Sequence, residues 1–257
     1  MVSRALEIKR DQILVLVAKD FKLKYNSTAL GFLWSLLVPV FSSVIYYCVF
    51  GVMIRFRVEN YLLYLLCGSF LWQFFASVVT MNGKILTNNA SLLKKTSFDK
   101  RLLIWGTFFT EGAHFILTIP ILLVVMLCYN VQPDWVTFLP NLAVSLVLLA
   151  YFSVGLSYVY AAVNLYFQDL ERIMAIILQM WMFITPIFIP ESSIPQQYHW
   201  IYKINPMAGI IQTWRRAFYQ PGWDWNSLWI LSLISLAMFL FGRWLFRRLQ
   251  SRFAEMM

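Results

Sequence analysis

Long uncharged stretches alternate with short charged gaps along this chain. The stretches cover residues 30–54, 61–83, 102–132, 135–168, 173–190 and 225–242, and the third is interrupted only by Glu111 and His114. Each reaches the ~18 residues needed to cross a hydrocarbon core of ~30 Å. Lipid offers no partner to backbone N–H and C=O groups, so segments this apolar satisfy themselves as helices. A barrel would need alternating strands of ~10 residues, and none is present. The pattern predicts an all-α integral membrane protein, one transmembrane domain over 1–257, with transmembrane helices at 30–54, 61–83, 102–128, 140–165, 173–190 and 225–246.

The gaps carry patterns of their own. In residues 1–29, Leu6, Ile13, Val17, Phe21 and Tyr25 recur at steps of seven, four, four and four, with Leu14 beside them, which places them along one helix face. This predicts an amphipathic helix in the cytoplasmic interface, where a plain anionic-lipid anchor is the simplest use. The same residues are charged throughout and lack an apolar signal-peptide core, so the first span is expected to direct insertion. In the second-to-third gap, Asn88 or Asn89 suits a helix N-cap, and Leu92, Leu93 and Phe98 stand among Lys94, Lys95, Lys100 and Arg101. A short docking helix and a topology-setting charged loop both fit that pattern. The brief gap 168–172 carries Asp169, Glu171 and Arg172 and could form a second docking turn. The longest gap, 191–224, contains an apolar run over 204–218 that is about half a span long. Such a run predicts a re-entrant or interfacial helix starting at Pro206, with Gly222 ending the segment.

Basic residues orient the whole. Arg4, Lys9, Arg10, Lys19, Lys22, Lys24, Lys84, Lys94, Lys95, Lys100, Arg101, Arg172, Arg243, Arg247, Arg248 and Arg252 all fall on one side, sixteen of the 21 Lys and Arg. Arg55, Arg57, Lys203, Arg215 and Arg216 fall on the other, so the positive-inside rule puts both termini in the cytoplasm. With 60% hydrophobic and 13% charged residues, the chain lacks the polar surface of a soluble domain. Its net charge of +9 therefore speaks of topology and anionic lipid, not of nucleic acid. Cys48, Cys67 and Cys128 lie inside spans and form neither a disulfide framework nor a metal pair.

Candidate chemistry is sparse. The one Gly-Lys pair, Gly83-Lys84, lacks the rest of a phosphate-binding loop, so no nucleotide or metal site is expected and any ATP use must come from another polypeptide. Glu111 and His114, three apart on one helix face, read either as a buried hydrogen-bonding pair or as a proton or substrate station. Tyr46, Phe50, Trp72, Tyr151, Tyr158 and Trp181 could line a path along which sugar rings slide, or could serve packing and interfacial belts.

Taken in order, several landmarks resemble the membrane subunits of ABC-2 type exporters of bacterial polysaccharides, the O-antigen export subunit most of all. They are Lys19-Asp20-Phe21-Lys22-Leu23-Lys24-Tyr25, Leu30-Gly31-Phe32-Leu33-Trp34 with Pro39, residues 89–103, Phe167-Gln168-Asp169-Leu170, Thr185-Pro186-Ile187-Phe188 and Asn205-Pro206-Met207. Two departures stand out: Phe98-Asp99 where the family often has Phe-Pro, and Gln168 where it often has Arg.

The resemblance implies a homodimer with two cytoplasmic ATPase subunits, which carry the ATP and magnesium, in the bacterial inner membrane. It implies an undecaprenyl-pyrophosphate-linked polysaccharide as cargo, with O-antigen, capsule and teichoic acid all in range. It also implies that Leu92, Leu93, Lys94, Lys95, Phe98, Asp99, Asp169, Glu171 and Arg172 couple to the ATPase, and that Lys19, Lys22, Lys24 and Tyr25 form a head-group gate. Two rivals remain open: a proton-coupled secondary transporter using Glu111 and His114, and a membrane glycan-processing enzyme resting on Glu191 and Asp224.

Overall fold

The computed structural model describes residues 2–25, 31–54, 58–93, 98–167, 169–219 and 222–253, and every regular element among them is helical. Helix α1 covers Val2–Tyr25, and α2 covers Gly31–Tyr46 and continues as a π segment over Tyr47–Met53. In that wider turn Ile54 N–H reaches back five residues to the Val49 carbonyl at 3.0 Å. Then follow α3 Tyr61–Gly83, the short turns α4 Ile85–Asn88 and α5 Ala90–Leu93, α6 Arg101–Ile116 and α7 Ile119–Cys128. Helices α8 Trp135–Asn164, α9 Leu170–Ile184, α10 His199–Ile204, α11 Pro206–Tyr219 and α12 Trp225–Leu249 complete the order.

Four stretches among the described residues are long and apolar enough to cross a bilayer: Tyr61–Gly83, Arg101–Cys128, Trp135–Asn164 and Trp225–Leu249. With α2 and α9 beside them they make a multi-pass membrane protein. Three predicted spans differ in detail. The third, expected as one helix over 102–128, breaks between α6 and α7. Pro120 has no N–H for the Ile116 carbonyl, and Leu117 and Thr118 turn tighter, bonding back three residues to His114 and Phe115. The fourth starts at Trp135 instead of 140, because Asp134 caps it by accepting from Val136 N–H at 3.2 Å. The fifth, expected over 173–190, ends at Ile184. Thr185 precedes a proline and is pushed to extended geometry (φ −92°, ψ 141°), so α9 is only 15 residues long.

Helix α1 also departs from expectation. Its buried contact is Leu16, seated against Gly106, with Ile13 packed beside it, whereas Leu14 is 57% exposed. Lys9 meets Asp99, Leu16 meets Gly106 and Phe21 meets His114, so the contacts advance together along both helices. Helix α1 thus lies against α6, with Ile13, Leu16 and Phe21 turned toward the bundle.

The tightest crossing joins α8 and α12, where backbones touch. A Cβ built on Gly242 would overlap the Gly155 carbonyl oxygen, an approach only glycine permits. Ser145, Ser153, Ser157 and Ser235 are buried on the same two helices. Helix α11 buries Met207, Ile210, Ile211, Trp214 and Phe218 against α3, α8 and α12. Its 14 residues rise about 21 Å, too little for a full crossing.

Candidate functional site

Polar side chains gather at the two ends of the bundle. At the end carrying the basic gaps, Lys84 after α3 pairs with Glu171 at the start of α9 at 2.7 Å, tying the second-to-third gap to the one between α8 and α9. Asn164 of α8 donates to the Gly83 carbonyl at 2.9 Å beneath that pair. Lys19 of α1 donates to the Asn89 side-chain oxygen at 3.0 Å, and Asn89 donates in turn to the Ile85 carbonyl at 2.9 Å. Lys100 reaches the Gln250 carbonyl at 3.2 Å, which fastens the end of α12 to the same platform.

The coupling candidates divide on this platform. Phe98 turns inward onto the core formed by Leu16, Leu86 and Leu103. Asp99 is engaged within the chain, accepting from Arg101 Nε at 2.8 Å and Nη2 at 2.7 Å, with Lys9 at 3.7 Å. Burial pulls the Asp99 carboxyl upward, and the Arg101 hydrogen bonds outweigh it, holding the carboxyl below its ordinary range. Asp169 and Arg172 stay exposed, and Phe167 is 68% exposed beside them. An apolar ring held out between charges is what a partner groove takes up, and Phe167 was visible in the sequence only as part of a motif. Lys94 and Lys95 lie outside the described residues, as do the side chains of Leu92 and Leu93. Of the head-group gate candidates, Lys19 and Lys22 are exposed on α1, while the side chains of Lys24 and Tyr25 lie outside the described residues.

Glu111 and His114 are buried on α6, 3.5 Å apart, with the Phe21 ring 4.8 Å from the imidazole. They join α1 to α6, about 15 Å along the helix from Arg101. Among the described residues no cluster of three His, Cys, Asp or Glu forms around them.

The aromatic candidates fall into three groups within the chain. Trp72 and Trp181 pack together at 6.1 Å and share Phe75, and Tyr46 and Phe50 both meet Phe188. Tyr151 and Tyr158 stand elsewhere on α8, each against Phe239 of α12. Trp72 and Tyr158 are almost fully buried within the chain.

At the opposite end, Asn205 caps α11 by accepting from Met207 N–H at 3.1 Å, with Pro206 at the first helical position as its sequence predicted. Asn205 also accepts from Trp181 Nε1 at 2.8 Å and donates to Thr185 Oγ1 at 2.9 Å. The sequence marked Arg215 only as an outer charge. It is 6% exposed, donates to the carbonyls of Tyr64, Pro186 and Ile187, and lies 3.5 Å from the centre of the Tyr64 ring. Gly68 makes room for it, since a Cβ there would overlap Nη2. The guanidinium thereby clamps α11 to α3 and to the turn that ends α9.

The chain thus has a polar cluster at one end, a clamped short helix at the other and apolar helices between them. The profile of the ABC-2 type transporter family matches residues 11–219. The O-antigen export system permease protein RfbA of Klebsiella pneumoniae is 33% identical over 249 residues, covering 96% of this chain and 95% of its own. The RfbA of Myxococcus xanthus is 28% identical over 255 residues, covering 98% and 97%. The polysialic acid transport protein KpsM of Escherichia coli is 23% identical over 252 residues, 96% of each chain. Matched across most of its length by the family profile and nearly end to end by these proteins, the chain belongs to the ABC-2 type transporter family.

Proposed function

We propose that this protein is the membrane-spanning permease subunit of an ABC exporter that carries a lipid-linked polysaccharide, of the O-antigen class, from the cytoplasmic side across the bacterial inner membrane. The observation that carries this reading is the near end-to-end likeness to O-antigen export permeases, on a chain whose two docking gaps meet through Lys84 and Glu171. ATP and magnesium belong to a separate cytoplasmic subunit, and the working complex holds two copies of this chain and two ATPases. The apolar face of α9, with Ile176, Met180 and Phe183 each about 60% exposed, suits contact with the second copy.

Phe167, Asp169 and Arg172 form the outermost coupling contact in this reading, and Lys84–Glu171 passes movement from it into α3 and α9. Lys19 and Lys22 meet the pyrophosphate of the arriving undecaprenyl-linked glycan, where each exposed cation near the surface adds about 1 kcal/mol of attraction for anionic groups. Both termini lie in the cytoplasm. Deleting the gene should leave the cell surface bare of the polymer while undecaprenyl-linked polymer accumulates inside. Normal surface display without the chain would overturn the assignment.

A further inference from the structure

Four cations drawn from three helices face one cleft of about 370 Å³: Lys9 of α1, Arg101 of α6, and Arg243 and Arg247 of α12. The one carboxylate in its wall among the described residues, Asp99, is already gripped by Arg101 and approached by Lys9. Arg243 and Arg247 have no carboxylate within ion-pair distance among the described residues. Among the described residues the cleft therefore holds three positive charges in excess. The two arginines are also four residues apart on one helix face, where like charges repel. An anion seated between them would remove that repulsion and accept charge-assisted hydrogen bonds from both.

The floor of the cleft says what kind of anion fits. Trp105 and Phe239 meet edge to face at 6.3 Å beneath the cations, and the Tyr158 ring lines the wall. One turn further along α6, Phe109 stacks on Trp105 at 5.9 Å and is 47% exposed. The cationic cleft is thus floored by apolar rings, the outermost of which, Phe109, is itself exposed. Inorganic phosphate would use only the cations, whereas an amphiphile uses both cations and rings.

We propose that this cleft binds the phosphate head group of an anionic glycerophospholipid, with an acyl chain lying along Trp105 and Phe109. The proposal is independent of the exporter reading and of the gate on Lys19 and Lys22. Bound lipid would staple α1 and α12 to the start of α6, bridging elements otherwise joined there by Lys9–Asp99 and Lys100–Gln250.

The test measures the thermal midpoint of the purified, delipidated full chain in neutral detergent as phosphatidylglycerol or phosphatidylcholine of equal chain length is added. Phosphatidylglycerol should raise the midpoint saturably and phosphatidylcholine should not. Combined Arg243→Gln and Arg247→Gln should weaken the phosphatidylglycerol dependence about tenfold, on the scale of losing 1.4 kcal/mol of contacts. Arg248→Gln, on a side chain set against Trp244 outside the cleft, should leave it intact. Should the double variant fail to fold, a photoactivatable phosphatidylglycerol on the native chain must label the peptide holding Trp105 and Phe109. Equal shifts from both lipids, an equal shift from inorganic phosphate or undecaprenyl pyrophosphate, equal loss in Arg248→Gln, or labelling elsewhere would each overturn the proposal.

Discussion

Arg215→Met removes the clamp between α11, α3 and the 185–188 turn without changing side-chain bulk much. The Ile187 carbonyl loses its 3.0 Å donor, at a cost of about 1–3 kcal/mol for a buried unsatisfied acceptor. The Pro186 carbonyl keeps the Tyr64 hydroxyl at 3.0 Å, and so loses less. Loss of the guanidinium over the Tyr64 ring removes up to about 2 kcal/mol more. Relief of burying a charge offsets part of this, leaving a net destabilisation of about 2–4 kcal/mol and a fall of roughly 5–10 °C in thermal midpoint for a chain of this size. The assay is thermal unfolding of the purified protein in mild detergent, run as a double-mutant cycle with Gly68→Ala. Alone, Gly68→Ala drives a methyl into Nη2 and must displace the guanidinium. In the Arg215→Met background the conflict disappears, so the two effects should be non-additive by about 1 kcal/mol or more. An unchanged midpoint for Arg215→Met, or strict additivity in the cycle, would refute the clamp.

Phe167→Ser with Arg172→Glu should cut co-purification of the ATPase about tenfold while membrane insertion stays normal, and full retention of the ATPase would mean the gap sets topology alone. Glu111→Gln preserves a hydrogen-bonding side chain under Phe21, so surface glycan should persist in a strain carrying only that copy. Its complete loss at normal protein level would favour the proton-coupled rival. Asp224 caps α12, and the hydrogen bonds from Ser227 hold its carboxyl below the ordinary 3.8. Its contribution, about 1 kcal/mol for such a cap, is therefore complete above pH 3.8 and fades as pH falls through the lower folded value. Asp224→Ala should lower the thermal midpoint at pH 7 and lose that difference in stronger acid, whereas a constant difference across the range would contradict the capping.

Much of the fold was legible because long apolar runs leave a chain in lipid little choice. Helices α3, α8 and α12 follow from composition alone. The misses lie where one residue decides: Pro120 breaks the third run and Pro186 stops the fifth, and both are apolar, so hydropathy passes over them. Helix α1 was legible as an amphipath, but which face turns inward depended on Gly106, ninety residues beyond Leu16, and Leu14 was left outside. The platform was half visible. Its charged gaps stand in the sequence, whereas the Lys84–Glu171 bridge and the inward turn of Phe98 arise from packing between distant segments. Arg215 carried no signal beyond its charge, since its partners are backbone carbonyls and its space is the missing side chain of Gly68. The basic cleft is likewise assembled from three separate stretches of chain.

Liposomes containing this chain and its cognate ATPase, loaded on the ATPase-accessible side with undecaprenyl-linked polysaccharide, test the central claim most directly. The measured quantity is glycan reaching the opposite leaflet, where an impermeant lectin or antibody detects it. Transfer should require ATP, stop with an ATPase inhibitor and be absent when either polypeptide is omitted. Transfer driven by a proton gradient in the absence of ATP, or by this chain without the ATPase, would contradict the account.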